Sequence, residues 1–179
     1  LRLPPVRAFR MEAAEDAFNK ASFEEAATHA ETALGLLQDV DSHPSTARQS
    51  ALREKARALC AMRGYSSPEV GRCLEELRDL AVQAGDSAAA FEATYGLWYH
   101  HVTRVEPDDT TRVVRDLRSL AAQLPNDRDL PTRVAEGATA LWRGDFATTA
   151  AALSHIPSAW RSGSMATPRP VLYGVHPLA

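Results

Sequence analysis

Apolar positions recur every three or four residues along almost the whole chain, the spacing of an amphipathic helix. The clearest stretch is 68–84. Val70, Cys73, Leu74, Leu77, Leu80 and Ala81 make one stripe, and Glu69, Arg72, Glu75, Glu76, Arg78 and Asp79 occupy the rest of the cylinder. Ser67 suits an N-cap, and Pro68 suits the first helical position, where its missing N–H costs nothing. Gly85 suits the stop. Arg72 and Glu76 stand one turn apart, a spacing worth a few tenths of a kcal/mol.

The same pattern predicts seven further helices, over 5–19, 23–38, 45–63, 87–104, 109–124, 131–143 and 145–155. In 23–38 the stripe is Phe23, Ala26, Ala27, Ala30, Ala33, Leu34 and Leu37. In 109–124 it is Val113, Val114, Leu117, Leu120, Ala121 and Leu124. Helix 87–104 carries two stripes. Phe91, Tyr95, Trp98 and Val102 form one, and Ala90, Thr94 and Leu97 a tighter second, as a helix touched on two sides requires. Truncating Trp98 to alanine is expected to cost about 3–5 kcal/mol. No strand is predicted, since Val171-Leu172-Tyr173 is hemmed in by Pro170 and Gly174.

Short breaks rich in Gly, Pro, Asp and Ser separate the helices, among them 41–45, 64–66, 85–86, 106–108 and 125–127. Every second helix begins near 5, 45, 87 and 130, in steps of 40, 42 and 43. A near-constant step of this size marks stacked helical hairpins, none of which buries its apolar face alone. The expected fold is all-α, a right-handed, tetratricopeptide-like superhelix of about four hairpins. It spans residues 1–156, with 157–179 as a linker and the start of a further repeat.

Small and aromatic residues fall where close helix approach needs them. Ala14, Phe23, Ala26 and Ala33 do so in the first hairpin, and Gly137, Gly144 and Phe146 in the last. Arg143-Gly144-Asp145 is a tripeptide displayed by cell-adhesion ligands. Here Gly144 reads as a turn residue, Asp145 as an N-cap, and Phe146 as an aromatic plug after the turn.

The 179 residues leave room for one domain or one run of repeats. A net charge of −3 argues against a nucleic-acid surface, which needs a basic patch to displace phosphate counterions. Cys60 and Cys73 form neither a CxxC nor a zinc spacing, which fits a reducing, cytoplasmic setting. Neither a membrane span nor a signal peptide is legible. The chain opens on Leu1, so a piece of a longer protein is expected.

The run GYSSPEVGRCLEELRDLAVQAGD, followed by FEATYGLWYHHVTR and ALWRGDFATTAAAL, resembles the tetratricopeptide-like region of large bacterial signalling proteins. In those proteins a STAND-type ATPase module precedes the repeats. A class III adenylate/guanylate cyclase domain or a LuxR-type DNA-binding domain lies elsewhere in the chain. The matching residues are Gly64 to Val70, Gly96-Leu97-Trp98 and Leu141 to Phe146. LYGVHPLA is similar to the family's next helix start, with His176 where the family has an acid. The resemblance covers roughly 10–179 and implies fold more than activity. The chain carries no GxxxxGK[ST] and no cyclase pair of aspartates, so no catalytic residue and no cofactor are expected in it.

Adjacent helical residues diverge by about 100°, so His100 and His101 are expected not to share a metal, one packing and the other meeting solvent. His29-Ala30-Glu31-Thr32 is not HExxH. Cys60 and Cys73 sit on apolar stripes, as small hydrophobes rather than nucleophiles. Glu75-Glu76 reads as a solvated face, and Asp108-Asp109 as a helix N-terminus. The first helices of the hairpins are expected to form a concave wall on which Trp98, Tyr99, His101, Arg104 and Trp142 contact a partner. The aromatics have a plain reading as core. The expected function is a non-catalytic interaction or sensory module for a protein or peptide, including flanking domains of the same chain. The alternative is a small-molecule effector receptor with its pocket at Trp98 and Trp142. A homodimer is left open, and neither nucleic acid nor membrane is expected as a partner.

Overall fold

A computed structural model describes residues 5–38, 45–124 and 129–154, with side chains for 10–37, 45–124 and 129–154. The described residues form eight α-helices and no strand. They are α1 (Pro5–Asn19), α2 (Phe23–Gln38), α3 (Ser45–Arg63), α4 (Pro68–Gln83), α5 (Ser87–Thr103), α6 (Pro107–Ala121), α7 (Asp129–Trp142) and α8 (Phe146–Leu153). Each packs chiefly on its neighbours in sequence. The fold is an all-α, tetratricopeptide-like superhelical stack of four hairpins. First helices begin at Pro5, Ser45, Ser87 and Asp129, so the steps are 40, 42 and 42. The expected linker and next-repeat start at 157–179 lie outside the described residues.

Helix α6 starts two residues before its predicted position because Pro107 takes the first helical place. Ser67 stands at the N-cap of α4, yet its hydroxyl caps no backbone N–H. It donates instead to Glu69 at 2.6 Å. Glu76 accepts from Arg48 Nε of α3 at 3.1 Å. The expected solvated acid therefore ties two helices together.

Four corners share one device. Lys20-Ala21-Ser22, Ala84-Gly85-Asp86, Arg104-Val105-Glu106 and Arg143-Gly144-Asp145 each place a left-handed residue in the middle, with φ of 58°, 69°, 59° and 76°. In each, the third residue's N–H reaches back to a carbonyl of the preceding helix. The acceptors are Ala17, Ala81, His101 and Ala140, at 2.8, 2.9, 3.1 and 2.9 Å. This is the Schellman closure, which satisfies orphan helix carbonyls. Asp86 and Asp145 then cap the next helix, accepting from Ala89 N and Thr148 N at 2.9 and 3.0 Å. The Thr148 side chain, and then the Thr148 N–H, hold the Asp145 carboxyl below its ordinary range.

The main core joins Val70, Cys73 and Leu74 of α4 to Phe91, Leu97 and Trp98 of α5 and to Val113 and Leu117 of α6. Both stripes of α5 are used, with Phe91, Trp98, Ala90, Thr94 and Leu97 all at or below 3 % exposure. Full burial of each large side chain contributes about 1.5–3 kcal/mol. The missing side chains of two glycines set two close approaches. A Cβ on Gly71 would lie 2.7 Å from His100 Nε2, and one on Gly137 would lie 2.5 Å from Leu153 Cδ2. Leu153 thus fills the gap assigned to Phe146, whose ring is 69 % exposed.

Candidate functional site

Both members of the His100-His101 pair are buried. The expectation that one meets solvent fails because α5 packs on both flanks. His100 Nδ1 lies 2.7 Å from the Tyr65 carbonyl, so that nitrogen carries the proton. Burial pushes the His100 imidazole below its ordinary pKa, and the Tyr65 carbonyl only partly opposes this. His101 Nδ1 lies 2.7 Å from Glu106 Oε2. Glu106 Oε1 accepts from Arg104 Nε at 2.7 Å. The His101 bond and then the Arg104 bond hold the Glu106 carboxyl low, so Glu106 is the acceptor and His101 the donor.

The two rings meet edge to face with centroids 5.2 Å apart. His100, His101 and Glu106 could each offer a metal-ligand atom, all within 4.8 Å of one another. Diverging Cβ directions therefore do not keep these side chains apart. Yet Nδ1 of each histidine and both Glu106 oxygens are already bonded, and His100 Nε2 abuts Gly71. Arg104 adds a positive charge at the carboxylate. The contacts account for these three groups as a corner clamp, which Arg104 NH1 extends to the Ser66 carbonyl at 3.3 Å.

Trp98 is 3 % exposed, and its Nε1 donates to Thr139 Oγ1 at 2.9 Å. It belongs to the core. Tyr99 is half-buried and stacks on Tyr65 at 4.9 Å. Tyr65, Tyr95 and Tyr99 form one aromatic group whose phenols burial pushes upward. Burial likewise raises the Cys60 thiol to about 12, leaving essentially no thiolate at neutral pH. The five residues expected on one wall therefore separate. Trp98 and Tyr99 pack inward, His101 and Arg104 brace Glu106, and Trp142 stands 60 % exposed.

Trp142 does line a cleft of ≈ 230 Å³ between two corners. Val102, Val105 and Pro107 form one side, and Thr139, Trp142 and Arg143 the other. Glu106 also lines it, and its carboxylate is held by His101 and Arg104. Thr139, bonded to Trp98, links the wall to the core. Arg143 NH1 donates to Thr111 Oγ1 at 2.8 Å, holding the last corner against α6. Larger hollows flank α1–α3 (≈ 380 Å³) and α6–α7 (≈ 630 Å³). The latter is walled by Arg118, Glu136, Arg133 and Asp129, already paired at 2.8 and 2.6 Å.

Sequence reasoning missed Val105. It stands at φ 59° and is 77 % exposed. A β-branched residue in the left-handed region is an outlier, and the place holds glycine in two of the four like corners. The signal available was the sequence itself: Arg104-Val105-Glu106 aligns with Arg143-Gly144-Asp145, with valine in the glycine position. No family model, curated protein or solved structure matches the chain.

Proposed function

We propose that the chain is a non-catalytic protein-interaction module that seats a side chain of a partner polypeptide in the Val105–Trp142 cleft. The observation that carries the reading is that two exposed large apolar residues, Val105 and Trp142, 77 and 60 % exposed, line one cleft. Exposed apolar groups that share a site mark interaction surfaces. The resemblance to bacterial signalling proteins adds a context, in which the module would serve an attached ATPase, cyclase or DNA-binding output domain.

A second reading, an effector receptor, draws support from the mostly apolar cleft with Glu106 and Arg143 at its edges. The volume of this cleft favours the first reading. Small-molecule sites run from about 300 to 1,000 Å³, and ≈ 230 Å³ suits one anchoring side chain. The test is selection of a random dodecapeptide display library on the immobilised full chain. Binders that lose affinity on Trp142→Ala support the reading. A selection with no Trp142-dependent binder, or a metabolite that raises Tm only when Trp142 is present, overturns it.

A further inference from the structure

Val105 poses a physical question. Glycine would hold the same corner without the Cβ clash, as Gly85 and Gly144 do. With 77 % of its surface exposed, the valine recovers little by packing within the chain. Strain kept without an internal return points to a role for the side chain outside the fold. Val105 and Trp142 line the same cleft, so both offer apolar surface to whatever enters it.

The charges at the cleft are not equivalent. Glu106 is bonded through both oxygens, to His101 and Arg104. Arg143 bonds a hydroxyl, Thr111 Oγ1, and among the described residues no ion pair engages it. Of the other acids in the α6 corner, Asp109 is paired with Arg112 at 2.7 Å, and Asp108 does not line the cleft. The unmatched charge on the lining is therefore positive. A guanidinium keeps further N–H donors in a planar fork after one bond, which suits a carboxylate.

We propose that the occupant is an acidic peptide segment carrying one bulky apolar or aromatic residue. That residue sits between Val105 and Trp142, and a neighbouring carboxylate bonds Arg143. The statement rests on the interaction reading above and gives its partner a chemistry. Arg143 of the adhesion-like tripeptide thereby acquires a use that needs no adhesion receptor.

The same dodecapeptide library tests it, selected in parallel on the wild-type full chain, Arg143→Gln and Val105→Gly. Circular dichroism and Tm verify that each variant is folded. Wild-type binders should be enriched in Asp or Glu within a few positions of Phe, Trp or Leu. Arg143→Gln should abolish the acidic enrichment while the apolar preference stays. Val105→Gly should weaken the selected peptides at least tenfold without lowering Tm. Trp142-dependent binders that show no acidic enrichment, prefer lysine, or ignore Arg143→Gln overturn the acidic partner and leave the interaction reading standing. Absence of any Trp142-dependent binder removes both.

Discussion

Replacing Val105 with glycine gives a stability change whose sign separates strain from packing. An L-residue in the left-handed region costs about 1–2 kcal/mol, and φ at Val105 is 59°. Glycine removes that cost but gives the unfolded chain more freedom, an opposing term of about 0.4–1 kcal/mol. The valine is 77 % exposed, so the burial lost is a few tenths of a kcal/mol at about 25 cal/mol per Å². The midpoints of these terms sum to a gain of about 0.5 kcal/mol. For a chain of this size 1 kcal/mol moves Tm by about 2–4 °C, so calorimetry should record a rise of about 1–2 °C. The converse change at the matching corner, Gly144→Val, imposes the strain at φ 76°, where nothing lies within 4 Å of the added Cβ to hold it. Less the same opposing unfolded-state term, Tm should drop there by about 2–3 °C. A fall in Tm for Val105→Gly, with Gly144→Val unchanged, would refute the claim that the αL position sets these energies.

Other outcomes follow from the same contacts. Gly71→Ala puts a Cβ against an imidazole fixed by Tyr65, and should cost about 1–3 kcal/mol in urea melts despite the better helix former. Gly137→Ala should cost less, because its obstacle is the end of a flexible leucine on the last described helix. Trp98→Ala should lose about 3–5 kcal/mol by the same melts, since it empties a core site and leaves Thr139 without its indole donor. Burial lowers His100, which faces His101, Arg104, Glu106 and the Tyr65 carbonyl. The unfolded chain then binds more protons, so this contribution is full above about pH 6.5 and shrinks as pH falls from there to the folded pKa. Between pH 7.5 and 5.5 the wild type should lose more Tm than His100→Gln, and parallel curves would contradict the assignment.

Helix number, order and near-boundaries were legible because each helix carries its own stripe and its own punctuation, as Pro68, Gly85 and Asp145 demonstrate. The two-sided burial of α5 was legible from its paired stripes. Side-chain partners were not, because they depend on which helix arrives opposite. Glu76 had Arg72 one turn away in sequence but meets Arg48 from α3. Phe146 occupies the plug position by pattern, but Leu153 reaches Gly137 first and the ring stays outside. Of the five residues assigned to a wall, Trp142 alone lines the cleft, and its opposite side comes from Val105, which no periodicity marks.

The position of the cleft follows from stacking. Hairpin tips lie one above another, so each corner can reach the one before. Arg104 reaches the Ser66 carbonyl of the α3–α4 corner, and Arg143 reaches Thr111 near the α5–α6 corner. These arginines occupy the same place, one residue before the left-handed position. A corner that grips its predecessor leaves a seam, and the residue at the αL position decides how the seam is lined. Glycine adds no side chain there; Val105 adds an apolar one opposite Trp142. The Arg-Gly-Asp run is the next copy of the same closure. Its arginine braces α6, its glycine takes φ 76°, and its aspartate caps Thr148. Each member of the tripeptide thus has a place in a helix corner, which accounts for the run without an adhesion role.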